Sequence, residues 1–136
     1  MRALAGGKPL HIGYEDEIVV SPDGRVVTVW RYVMEPPHGD GLFEVRFQGI
    51  KLPHLFWGRG HAWSKDSDYF SLEQFNEESK CFLWVVRSSD QYWCCLGECW
   101  LVARLDFPVA EIRPYGDGNV RKQFLFDGSE CWQPIG

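Results

Sequence analysis

The sequence predicts an all-β chain, an antiparallel sandwich or open barrel of about eight strands with little helix. Three observations carry this expectation. One local recipe is written twice: Ser21-Pro22-Asp23-Gly24-Arg25-Val26-Val27-Thr28-Val29 realigns on Ser64-Lys65-Asp66-Ser67-Asp68-Tyr69-Phe70-Ser71-Leu72, 43 residues downstream. In each copy a polar turn with Asp in its middle leads into an apolar, β-prone run. Turn signals recur at short intervals, with no parallel βαβ pattern between them. Seven Trp, nine Phe and five Tyr make up 15% of the chain, and bulky aromatic and β-branched residues suit pleated surfaces better than helices.

The elements follow in order. Residues 1–13 are Gly-rich and polar, a loose arm or first edge strand. Glu15-Asp16-Glu17 precedes Ile18-Val19-Val20. Ser21-Pro22-Asp23-Gly24 has the residues of a type I turn: Ser at its start, Pro fixing φ, Asp tolerating the next position, Gly closing. Arg25 to Val33 is apolar on both faces, with Val27, Val29 and Val33 on one and Val26, Trp30 and Tyr32 on the other. Such a strand belongs in the middle of a sheet, covered on both sides. Glu35 to Gly41 is a loop set by two Pro and two Gly.

Leu42 to Gln48 alternates, so Phe43, Val45 and Phe47 point inward and Glu44, Arg46 and Gln48 face water. A second turn region contains Gly49 and Pro53. Leu72 to Lys80 is polar enough for one helical turn or an exposed acidic loop. Lys80 to Arg87 reads as the strongest buried strand, turned by Ser88-Ser89-Asp90 into Gln91–Leu96. Gly97-Glu98 reads as a tight hairpin turn back into Cys99–Asp106. Pro108, Pro114 and Gly116-Asp117-Gly118-Asn119 mark loops, Val120–Phe126 is a last strand, and the tail ends in Cys131-Trp132-Gln133-Pro134.

A chain of 136 residues is expected to form one domain spanning residues 1–136. At this mass the folded surface should be about 7,300 Å² against about 22,900 Å² extended, enough burial for a core without metal or disulfide staples. No stretch resembles a signal peptide, and no apolar run approaches the ~20 residues of a membrane span. The expected compartment is the cytoplasm, where an odd set of five cysteines stays reduced.

Chemistry-bearing motifs are sparse. Cys94, Cys95 and Cys99 invite a zinc reading, but neighbours on a strand point to opposite faces, so Cys94 and Cys95 do not share one ion. Small core residues are the simpler account. His11, His38, His54 and His61 show no metalloprotease spacing and read as surface or loop residues, with His54 and His61 flanking one Gly-rich bend. Gly58-Arg59-Gly60 lacks the helix start that a phosphate loop needs. No nucleophile elbow or ordered Ser–His–Asp set is present. Ser64 and Asp66 are expected to bond local backbone. No catalytic residue, metal or other cofactor is expected.

The two turns, with Trp63 directly before the second, resemble the blade signature of bacterial β-propeller repeats of the TolB and WD40 kind. The matching residues are Ser21-Pro22-Asp23-Gly24-Arg25 and Trp63-Ser64-Lys65-Asp66-Ser67, and the resemblance covers residues 15–75. With no third copy and too short a chain for a closed ring, the expectation is one or two blade-like meanders packed as a sandwich. The resemblance implies a binding scaffold. By type, a small acidic Trp-rich β-protein is also similar to the immunity proteins of bacterial toxin systems.

Net charge is −5, with Lys and Arg scattered along the chain and never more than two together. Nucleic acid would call for a basic stripe; an acidic surface suits a basic protein, because opposite fields speed encounter. The expected function is therefore non-enzymatic: an immunity or inhibitor protein that occludes the active site of a basic toxin. The expected partner-binding residues are Glu15, Asp16, Glu17, Asp66, Asp68, Tyr69, Glu73, Glu77 and Glu78, converging on one patch with Tyr14 and Phe75 as aromatic anchors. The competing expectation is a small-ligand or peptide-binding domain with an aromatic-lined cleft. Neither direct nucleic-acid nor membrane binding is expected, and the chain is read as monomer or homodimer.

Overall fold

Two serine-led turns close two neighbouring hairpins, and the rest of the molecule is arranged around them. The computed structural model describes residues 2–3, 6–36, 39–76, 81–98, 100–114 and 121–135. Among these there is no helix, and there are twelve strands: β1 (Arg2–Ala3), β2 (Glu17–Val20), β3 (Val27–Met34), β4 (Leu42–Phe47), β5 (Ile50–Trp57), β6 (Tyr69–Phe75), β7 (Cys81–Arg87), β8 (Tyr92–Glu98), β9 (Trp100–Asp106), β10 (Val109–Pro114), β11 (Lys122–Leu125) and β12 (Gln133–Pro134). The fold is all-β. β1 to β8 and β12 form one nine-stranded sheet in the order β1-β2-β3-β4-β5-β6-β7-β8-β12, and β9 to β11 form a second sheet in the order β11-β10-β9. Every ladder is antiparallel except the short parallel pair at the edge, β1 with β2. The large sheet is open, since its two end strands do not pair.

The alternation read from Leu42 to Gln48 holds: Phe43, Val45 and Phe47 are fully buried. With Ile12, Val19, Trp30, Leu52 and Phe56 they form a first core, against which the Phe70, Leu72, Val86 and Trp93 face of β6–β8 packs. The opposite face of β7–β8, with Leu83, Val85 and Cys94, joins Val102, Leu105, Ala110, Ile112 and Phe126 in a second core under the small sheet. β6 to β8 are thus covered on both sides. The exposed surface of 7122 Å² matches the value expected for a compact chain of this mass.

β5 and β6 are joined by one ladder pair, Phe56 with Gln74. β6 is edged instead by residues 61–64: Trp63 bridges Phe70, Ser71 N–H donates to Ala62 O (2.8 Å), and Ser64 N–H donates to Tyr69 O (2.9 Å). Across the seam, Gln91 Nε2 donates to Gln48 Oε1 at 2.8 Å. Residues 6–13 cross as a strap. Leu10 bridges His61, Gly7 N–H donates to Trp63 O and Ile12 N–H to Gly58 O.

Four expectations are corrected. Pro53 lies inside β5 and not in a turn. Gln48 and Gly49 both take positive φ (50° and 80°), as a two-residue hairpin turn requires. The ladder then jumps from Glu44–Leu55 to Arg46–Lys51, and this bulge accommodates a residue without an N–H. Leu72 to Phe75 is neither helical turn nor loop; it completes β6, paired along its length with β7. Gly97-Glu98 closes no hairpin, because β9 pairs with β10 in the other sheet; Cys99 lies outside the described residues. Finally, β3 has a neighbour on each side, but its Val27, Val29 and Val33 face is exposed, because the small sheet covers β6–β8 and leaves β2–β4 open.

Candidate functional site

The two repeat turns are bonded alike. Ser21 Oγ donates to Asp23 Oδ1 (2.8 Å) and accepts from Val26 N–H (3.0 Å). Ser64 Oγ donates to Asp66 Oδ1 (2.6 Å) and accepts from Tyr69 N–H (3.1 Å). Asp23 takes Arg25 N–H at 2.9 Å, as Asp66 takes Asp68 N–H at 3.0 Å. Each turn closes with the N–H of its fourth residue on the serine carbonyl, both at 2.9 Å. The local backbone role expected of Ser64 and Asp66 holds.

The turns also touch. Asp23 N–H donates to Ser67 Oγ at 3.0 Å. Arg25 pairs with Asp23 and reaches Asp68 Oδ1 at 3.2 Å. Two hydrogen bonds from Arg25, backbone and side chain, hold the Asp23 carboxyl far below its usual range. Asp68 is thus paired with Arg25 across the two turns, with its side chain 46% exposed. Beside them the half-buried Tyr69 ring stacks on Phe107, centroids 3.5 Å apart, and Trp132 lies 6.0 Å away with the Arg87 guanidinium 4.7 Å above it.

Glu15, Asp16 and Glu17 sit at the other end of β2, a strand's length of roughly 13 Å from the turn pair. There they line a groove of about 690 Å³ with Gly13, Ile18, Val29, Arg31 and Arg46. Asp16 Oδ1 accepts the N–H of Tyr32 at 2.8 Å: the β2–β3 ladder starts at Glu17–Trp30, and the carboxylate satisfies the donor beyond it. Tyr14, 51% exposed, stands next to the trio.

The expected single acidic patch is thus divided. Glu73 is a correction: it is 2% exposed and presents no charge to a partner. Burial raises its carboxyl above the usual range, against the opposing pull of Arg59. Arg59 Nε donates to Glu73 Oε1 at 3.1 Å, and its Nη1 reaches Asp40 Oδ2 at 3.1 Å, while the other oxygen of that carboxylate, Oδ1, bonds His11 Nε2 at 2.9 Å. Gly60, at φ 72°, leaves room for the Glu73 carboxylate pressed against it. Phe75 packs edge-on against Trp57 and does not sit with Tyr14 beside the trio. Glu77 and Glu78 lie outside the described residues.

His61 is no surface residue. It is fully buried, and desolvation pulls its pKa down to about 4. Nδ1 faces Ser71 O at 3.1 Å, so it carries the proton, and Nε2 accepts from Trp63 Nε1 at 3.1 Å and from Thr28 Oγ1 at 3.0 Å. Thr28 Oγ1 in turn accepts from Trp30 Nε1 at 3.0 Å. His54 belongs to a different group, parallel to Trp84 and Trp93. Cys94 is buried and Cys95 exposed, on opposite faces of β8 as a strand dictates. Among the described residues no three His, Cys, Asp or Glu are grouped to hold a metal ion, and no helix is long and apolar enough to cross a membrane.

Compared with models of protein families, with curated proteins and with solved structures, the chain gives no match. The residues that sequence reasoning missed at the groove are Ile18, Val29, Arg31 and Arg46. For Val29 the signal was the two-sided apolar pattern of β3, of which one side is a surface; Ile18, Arg31 and Arg46 come beside it through the strand registers.

Proposed function

We propose that this chain is a non-enzymatic binding protein that captures a basic protein, in the manner of a cytoplasmic immunity protein neutralising a bacterial toxin. One observation carries the reading. Three consecutive acidic residues, Glu15, Asp16 and Glu17, line a concave wall directly beside exposed apolar side chains, Tyr14, Ile18 and Val29. A cluster of exposed apolar residues rimmed by charge is the surface signature of protein docking. The carboxylates accelerate encounter and the apolar contacts slow release. Among the described residues, the aromatic residue at the groove, Trp30, is fully buried, which supports a protein surface over an aromatic-lined ligand cleft. The blade-like reading of residues 15–75 as a binding scaffold is part of the same proposal, supported by the identical bonding of the two turns.

The test is capture from the native lysate at low and high salt, with the wild type and the triple reversal Glu15→Lys, Asp16→Lys, Glu17→Lys. The expected result is one basic protein retained at low salt, weakened at high salt and lost with the reversal. Retention indifferent to both salt and reversal overturns the electrostatic reading.

A further inference from the structure

The groove on the outer face of β2–β4 holds both signs of charge over one apolar floor. Ile18 and Val29 pair across β2 and β3 and are both exposed. Arg31 follows Val29 on the same outward face. The ladder that starts at Glu17–Trp30, continued one step, sets Asp16 beside Arg31. Arg46, opposite Val29, adds a second guanidinium, and Glu15 adds a second carboxylate to Asp16. Glu44 stands directly across from Arg31 but is already shared by Arg46 and Lys51, each at 3.5 Å. Arg31 and Glu15 make no ion pair among the described residues. A surface that covers this groove takes these charges out of water, and a covered charge without an opposite one is strongly unfavourable. A uniformly basic surface answers Glu15 and Asp16 but is repelled by Arg31 and Arg46.

We propose that the partner segment seated in this groove is an extended stretch carrying a Lys or Arg and an Asp or Glu two residues apart. Its cation lies over Glu15 and Asp16, and its carboxylate over Arg31 with Arg46 beside it. Side chains two residues apart on a strand share a face and stand roughly 7 Å apart. The opposite charges of the groove lie one to two strand spacings apart, roughly 5–10 Å, so one short segment spans them. The alkyl stem of the partner's basic residue covers Ile18 and Val29 while its head stays with the carboxylates. The acid in the segment discriminates: a basic protein without one leaves Arg31 covered and unanswered. That a protein occupies the groove rests on the proposed function; the demand for both signs of charge rests on the groove itself.

Three acetylated and amidated peptides test it: Thr-Lys-Val-Asp-Thr, Thr-Lys-Val-Lys-Thr and Thr-Asp-Val-Asp-Thr. Each is titrated into the isotope-labelled full chain at low ionic strength, with backbone amide shifts as the readout. The mixed peptide is expected to give saturable shifts at Ile18, Val29 and Arg31, and to bind about fivefold more tightly than either of the others, the scale of one exposed ion pair. Arg31→Glu, at an exposed position, should turn the preference to the doubly basic peptide. A doubly basic peptide that binds the wild type as tightly as the mixed one overturns the proposal, as does the absence of saturable shifts in the groove with any peptide. Shifts there that grow with protein concentration alone would mark a second copy as the occupant and overturn it too. Capture of a basic protein from the native lysate separates the two readings. Loss of that protein with Glu15→Lys/Asp16→Lys and with Arg31→Glu is expected; loss with the first and stronger capture with the second would defeat the mixed-charge segment and leave the proposed function standing.

Discussion

The backbone N–H of Asp23 donates to the hydroxyl of Ser67, at 3.0 Å, across 44 residues of chain. Ser67 occupies the place in its turn that Gly24 occupies in the other, and both take the left-handed conformation, at φ 64° and 78°. Glycine adopts that region without strain; serine does so at a cost. The serine is fully buried and supplies an acceptor that glycine lacks, in a bond that is itself part-buried.

Replacement at Ser67 separates these two effects. Ser67→Ala keeps the strain and strands the Asp23 N–H, and should destabilise by about 2 kcal/mol. Ser67→Gly strands the same donor but relieves the backbone, and should cost about 1 kcal/mol less. Urea unfolding midpoints of the three proteins check the order.

Arg59 and Glu73 form a buried pair whose partners are unequal in exposure, 24% and 2%. Arg59→Met leaves the Glu73 carboxylate buried without its cation and should cost roughly 3–5 kcal/mol. Arg59→Met/Glu73→Gln should recover a large part of it. Measured against the double variant, the single variant should gain stability as the pH falls, since protonation removes the stranded charge, while groups common to both, His61 among them, cancel from the difference. Denaturant titrations at two pH values distinguish the outcomes.

The protonation of His61 sets a stability slope in mildly acidic solution. Its folded pKa of about 4 lies below the ordinary 6.5 because the ring is desolvated. The unfolded chain therefore binds the proton first. Stability contributed by neutral His61 is complete above pH 6.5 and is lost as the pH falls from 6.5 towards 4, by about 2 kcal/mol at pH 5. Glu73, whose carboxyl is raised by burial, acts in the opposite direction. Comparing the wild type with His61→Gln by urea unfolding at pH 7.5 and pH 5 isolates the histidine; equal slopes would sink this account.

Four described cysteines divide by burial. Cys95 and Cys131 are exposed, Cys81 and Cys94 buried, and desolvation pushes the last two up to about 12. Because the thiolate is the reactive form, iodoacetamide should label Cys95 and Cys131 in the native protein well before Cys81 and Cys94. Peptide mapping of a labelling time course reads this out.

The strand alternation of Phe43, Val45 and Phe47 and the form of both turns were legible in the sequence, because they depend on residues close in the chain. Glu73 was not. A carboxylate in a polar stretch reads as solvent-exposed, and the arginine that allows its burial sits 14 residues away in a glycine bend. The exposed valines of β3 misled for a related reason: a two-sided apolar strand shows that both faces seek cover, but not that the chain's own second sheet lies over β6–β8. The acidic residues were each visible, and their division between the two ends of β2 was not, since that depends on which end of the strand each loop occupies.

The single ladder pair between β5 and β6 has a mechanical consequence. A displaced strand drags its neighbour through the row of hydrogen bonds they share, and here that row is cut nearly to nothing. The two halves of the large sheet, β1–β5 and β6–β8 with β12, are joined less by a shared ladder than by the core, the Gln48–Gln91 bond and the contact of the two turns. A load applied to the outer face of β2–β4 passes to β6–β8 mainly through those side-chain contacts and the core, and little through a backbone ladder.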